Sequence, residues 1–202
     1  MKIEAVKSIN ITALFSSPIN HLLISPKSLL ELVKIKKQKK VSHSFIEVPG
    51  VKIMIFPGYK KEFVFEANRV LVNDKSEVVP KKSDIVKYFL KIIGASIVEK
   101  DKMTAYGFNY NIVIAPDKNN LEIKDLIGKK IAEIVDIKKA GIDISFEKKN
   151  IIYRLNIEPI GNNKKFIAHF NAHFESKLLS SDALKNSLNL QFEELKKIVK
   201  KI

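Results

Sequence analysis

The chain has 202 residues and not one cysteine. That absence excludes a disulfide framework, a zinc ribbon and a thiol nucleophile together. Arginine is nearly absent as well. Of 36 basic residues only Arg69 and Arg154 are arginine, and the other 34 are lysine. Readers of bases and phosphates lean on arginine because its planar fork binds in bidentate fashion. The chain also lacks a long apolar run. Nothing approaches the ~20 apolar residues of a membrane span, and the start, Met1-Lys2-Ile3-Glu4-Ala5-Val6-Lys7, has no signal-peptide core. A cytoplasmic protein with no membrane partner is the expectation.

Phosphate-loop chemistry is missing too. Gly128-Lys129-Lys130 would need a second glycine five residues earlier, where Ile123 stands. The four histidines are His21, His43, His169 and His173. The last two fall four residues apart on one expected strand. At about 3.3 Å per residue they stand roughly 13 Å apart, too far to share an ion. Neither a metal nor a cofactor is expected.

What remains is an ordinary hydrophobic content of 46% and a net charge of +14. A composition of this kind buries a real core and is not a disordered one. The charge has two readings. Lysine excess with only two glutamines fits the surface of a thermophile. It also fits attraction to nucleic acid or another polyanion. The densest basic cluster is Lys34, Lys36, Lys37, Lys39 and Lys40.

Periodicity then divides the chain. Residues 3–15 alternate as a half-buried strand, with Ser8, Asn10 and Thr12 on its polar side. Ser25-Pro26 reads as a helix start, and the helix through Leu29 and Val33 runs into the lysine cluster. Strands are expected at Ser44–Val48 and Val51–Phe56, then an extended segment over 62–73 that can bend into two. A helix follows from Ser83, with Gly94 closing it. The order then restarts: a strand over Met103–Ala115, a helix over 120–135, and strands over 140–146, 151–158 and 165–175. A last helix carries Leu184, Leu188, Phe192, Leu195, Val199 and Ile202, and the weak helix formers Asn186, Ser187 and Asn189 allow a later start near Ser187.

The expected fold is therefore α+β. It consists of two pseudo-repeats, 1–100 and 101–202, each reading strand, helix, three or four strands, helix. They would form an antiparallel sheet with the helices on one face, leaving the other face open. That open face collects the candidate binding residues: Asn10, Thr12, Asn109, Asn111, Arg154, Asn156, His169, Asn171 and His173. Asn68 is expected to join them. Asparagine is poor in strands, so its recurrence there points either to amide hydrogen bonding with a ligand or to an asparagine-rich composition. Turn lengths put Asp143 opposite Arg154, and Arg154 opposite His169. That row is either a small polar site or a cross-strand ion pair.

Ser8-Ile9-Asn10-Ile11-Thr12 and Phe108-Asn109-Tyr110-Asn111-Ile112 open the two halves, each with a central asparagine. In this and in element order the chain resembles the TATA-box-binding protein fold. The resemblance implies a saddle of two repeats with a DNA-binding sheet face and helices behind. Phe56-Pro57-Gly58-Tyr59-Lys60-Lys61-Glu62 stands where that family has a basic, glycine-containing motif. The expected function is non-catalytic binding, of nucleic acid through a basic surface or of a protein or small ligand.

Overall fold

The computed structural model describes residues 1–33, 42–95, 97–116, 140–161 and 165–202. Nine strands form one antiparallel sheet. They are β1 (Lys2–Phe15), β2 (Ser44–Val48), β3 (Val51–Phe56), β4 (Lys61–Glu66), β5 (Arg69–Asp74), β6 (Met103–Ala115), β7 (Ile142–Lys148), β8 (Ile151–Ile160) and β9 (Lys165–Phe174). Their order across the sheet is β2-β3-β4-β5-β1-β6-β9-β8-β7. Three helices are described: α1 (Pro26–Val33), α2 (Ile85–Ile93) and α3 (Ser181–Lys201).

Local chemistry sets the joints. Pro49-Gly50 turns β2 into β3, with Gly50 at φ 75° where a side chain would be strained. Lys149 and Asn150, at φ 54° and 58°, make a two-residue turn between β7 and β8. Ala67 at φ 33° and Asn68 reverse the 62–73 segment into β4 and β5. Bulges between Ile3 and Ala5 and between Val6 and Ser8 interrupt the alternation of β1. They turn Val6 inward, where it is buried, and pair Ala5 with Val113.

One core lies between the sheet and the helices. Ile9, Ile11, Phe63, Phe65, Phe108, Tyr110, Leu155 and Phe170 face it from the strands, and Phe89, Leu184, Leu188 and Leu195 from the helices. Each fully buried side chain of this size contributes about 1.5–3 kcal/mol. Tyr110 places its ring against Phe192 and donates its hydroxyl to the Leu188 carbonyl at 2.6 Å. Tyr153 stacks on Phe170 and donates to Gln191 Oε1 at 2.8 Å. Burial pushes both phenols above their ordinary value.

The expectation of two strand–helix repeats with helices spread across one face is corrected. A single nine-stranded sheet dominates, and of the three helices described α2 and α3 pack under its middle strands while α1 packs on α2. The cause is the β1–β6 pairing, which runs from Lys2 opposite Ala115 to Phe15 opposite Met103 and merges both halves into one sheet. Helix α2 packs on β5 and β1, while α3 packs on β1, β6 and α2, so the helices serve one shared core. The saddle of two repeats implied by the family resemblance is corrected with it. The helix expected over 120–135 and the cluster Lys34, Lys36, Lys37, Lys39 and Lys40 lie outside the described residues. Helix α3 starts at Ser181, six residues before Ser187.

Candidate functional site

The sheet face opposite the helices is crossed by a continuous row of paired residues. From β2 to β7 it reads Ser44, Ile55, Glu62, Asn73, Asn10, Asn109, Asn171, Arg154 and Ser145. At about 4.8 Å per strand the row spans about 38 Å. A second row reads Ser8, Asn111, His169, Asn156 and Asp143 from β1 to β7. Both rows arise because β6 and β9 alternate strictly. Phe108, Tyr110, Ala168, Phe170 and Ala172 take the core side, which leaves Asn109, Asn111, His169 and Asn171 on the other.

Half-buried amides need partners, and these find one another. Asn171 Nδ2 donates to Asn109 Oδ1 at 2.6 Å. Asn109 Nδ2 donates to Asn10 Oδ1 at 2.5 Å and to Thr12 Oγ1 at 3.3 Å. In the second row Asn111 Nδ2 donates to Ser8 Oγ at 2.7 Å, and Asn111 Oδ1 lies 2.5 Å from His169 Nδ1. An oxygen acceptor there requires the proton on Nδ1, so the neutral ring offers a bare lone pair at Nε2. Arg154 holds Asp143 with two hydrogen bonds, from Nε at 3.1 Å and Nη2 at 2.7 Å. Those bonds lower the Asp143 carboxyl below its ordinary value and raise the Arg154 guanidinium.

The rows enclose a cleft of about 440 Å³ lined by Asn10, Asn109, Asn111, Arg154, Asn156, His169, Phe170 and Asn171. A neighbouring cleft of about 270 Å³ lies toward β5, lined by Asn10, Thr12, Asn109, Asn171 and His173 together with Leu14, Arg69, Leu71, Tyr106 and Gly107. All nine residues chosen from the sequence therefore line one or both clefts. Asn68 does not: it sits in the β4–β5 turn and donates to the Phe15 carbonyl at 3.0 Å. The row Asp143–Arg154–His169 is also corrected. Arg154 stands opposite Ser145 and Asn171, while Asp143 and His169 stand in the next row with Asn156 between them.

Arg69, Leu71 and Gly107 were not singled out from the sequence. For Arg69 and Leu71 the signal was available in the alternation of Arg69, Leu71 and Asn73 against buried Val70, Val72 and Asp74. Gly107 matters because a side chain there would crowd the ladder. A Cβ would stand 3.2 Å from the Ala172 carbonyl and 3.4 Å from Asn171 Nδ2.

The face is not a basic one. Among the described strand residues it carries Glu62, Glu66, Asp143, Glu147 and Glu158 against Lys2, Arg69, Arg154 and Lys165. Arg69 is paired with Glu66, Arg154 with Asp143, and Lys165 with Glu4. Among the described residues no three His, Asp or Glu side chains gather as a metal site, and no described helix is long and apolar enough to cross a membrane. No family model and no curated protein matches the chain.

Proposed function

We propose that this is a non-catalytic binding protein whose ligand occupies the amide-lined cleft of the open sheet face. The observation that carries the reading is the convergence of seven polar side chains from four strands on one cleft of about 440 Å³. That size lies within the usual range of small-ligand sites. The amides are already ordered by bonding one another, so a ligand meets donors and acceptors whose positions are set in advance. Phosphate is a poor occupant, because among the described strand residues acidic side chains outnumber basic ones on this face and Arg154 is engaged by Asp143.

A fragment screen by ¹H–¹⁵N NMR tests the reading. Hits are expected to shift the side-chain amide signals of Asn109, Asn111 and Asn171, and Asn109→Leu is expected to weaken them by tenfold or more. Hits that leave those signals unmoved, or that bind Asn109→Leu equally well, would sink it.

The net charge of +14 favours a second reading, attraction to nucleic acid or another polyanion. On that reading lysines away from the cleft make the phosphate contacts.

A further inference from the structure

The two hydrogen-bonded rows run in the same direction. In the first, β9 donates to β6 and β6 to β1, through Asn171, Asn109 and Asn10. In the second, His169 on β9 donates to Asn111, which donates to Ser8 on β1. A chain of such bonds polarises itself. Its free donors collect at the β1 end, and its free acceptors at the β9 end. The acceptors left there are Asn171 Oδ1 and the lone pair of His169 Nε2. They belong to residues two apart on one strand face, and so stand about 7 Å apart.

The surroundings have the same sense. Glu158 lies on β8 two residues beyond Asn156 on the same face, while Asp143, two strands from β9, is shared with Arg154. The nearby cations are spoken for, Arg154 by Asp143 and Lys165 by Glu4. Asn156 stands between His169 and Asp143 across the strands and can turn its own amide oxygen to a donor.

We infer that the β9–β8 side of the cleft takes a ligand rich in N–H donors, an amino or guanidinium compound with two donor groups about 7 Å apart. This rests on the reading of the open face as a ligand site and adds the chemistry of the ligand. A phosphate or carboxylate offers only acceptors and meets the two free acceptors unmatched, with Arg154, the cation at this end, already engaged by Asp143.

Agmatine, which carries a guanidinium and an amine, is a direct probe; inorganic pyrophosphate is its opposite. With the full chain, agmatine is expected to shift the side-chain signals of Asn171, Asn156 and His169, and pyrophosphate to leave them in place. His169→Phe removes one acceptor and is expected to weaken agmatine about fivefold, the loss of about one hydrogen bond. Asn156→Asp adds a charged acceptor and is expected to tighten it. The imidazole nitrogen shifts of His169 in the free protein should report the proton on Nδ1. A proton on Nε2, or agmatine affinity indifferent to both substitutions, overturns the inference. Pyrophosphate shifting the same amides in place of agmatine overturns it too, while leaving the cleft a ligand site. If a broad fragment library also leaves those amides unmoved, the cleft reading falls as well.

Discussion

A buried charge shows best how single residues hold this fold. Lys61 and Asp74 both face the core side, and the Asp74 side chain is 1% exposed. An isolated charge there would be prohibitive. Lys61 Nζ lies 2.9 Å from Asp74 and 2.9 Å from Asp84, so its charge is shared. Asp74 also accepts from the Ser83 hydroxyl and from the Ser76 backbone N–H. Burial pushes its carboxyl up, but the bonds from Ser76, Ser83 and Lys61 outweigh it and leave the group below its ordinary value. A carboxylate lowered in this way stabilises the fold above its unfolded pKa and loses that contribution as pH falls through the folded value. The protein is therefore expected to lose stability below about pH 4. Asp74→Asn should cost about 1.5–3 kcal/mol at neutral pH and should flatten the acid limb. Urea unfolding at pH 7, 5 and 3 checks both, and an acid limb of unchanged slope in the variant would refute the assignment. The candidate site, at the same scale, was half legible. Alternation alone told which of Asn10, Asn109, Asn111, His169 and Asn171 share a face. It could not give their neighbours, because register depends on turns. The left-handed Lys149 and Asn150 shorten the β7–β8 turn to two residues. Strand β8 runs on through Pro159 and Ile160, which read as a turn. Each effect moves the pairing by two residues. That is why Arg154 meets Asn171 and not His169.

Among the elements, the strands were the most legible, since the β2–β3 boundary follows sharp turn chemistry at Pro49-Gly50 and their faces follow a period of two. Helix α3 was less so. Asn186, Ser187 and Asn189 are weak helix formers, which allowed a later start near Ser187. Tertiary burial overrides them: Leu184 and Leu188 are both 0% exposed, and they hold the first turns against the sheet. Asn189 contributes to the helix by donating to the Lys185 carbonyl at 2.9 Å. The helix should therefore respond to its inner face alone. Leu188→Ala is expected to cost about 2–5 kcal/mol through lost contacts and a cavity. Leu190→Ala, at a position 65% exposed, should change stability by less than about 0.5 kcal/mol. Thermal or urea denaturation of the two variants separates them. Comparable losses would mean that the outer face of α3 is also covered.

At the scale of the whole molecule, the described residues divide charge in a way that composition conceals. A net charge of +14 suggests a basic binding face, yet the open sheet face is mixed, and its arginines are bound to Glu66 and Asp143. Among the described residues part of the lysine excess lies elsewhere. Lys148, Lys149, Lys196, Lys197, Lys200 and Lys201 supply part of it at the β7–β8 turn and the end of α3. There Lys148 and Lys197 are both drawn to Glu194, and Lys196 to Glu193. Cations also suit the C-terminal end of a helix dipole. A polyanion should feel this side of the molecule and not the cleft. Short duplex DNA is accordingly expected to bind weakly at low salt, with affinity falling steeply and linearly in log salt as counterions are released. Replacing Lys197, Lys200 and Lys201 by glutamine should reduce the magnitude of that slope. Asn109→Leu should leave both slope and affinity unchanged, although it removes small-ligand binding. Fluorescence polarisation across a salt series, run on both variants, makes the distinction. If Asn109→Leu weakens DNA while the lysine variant does not, the polyanion belongs on the amide face, and the division of charge between the two sides has been misread.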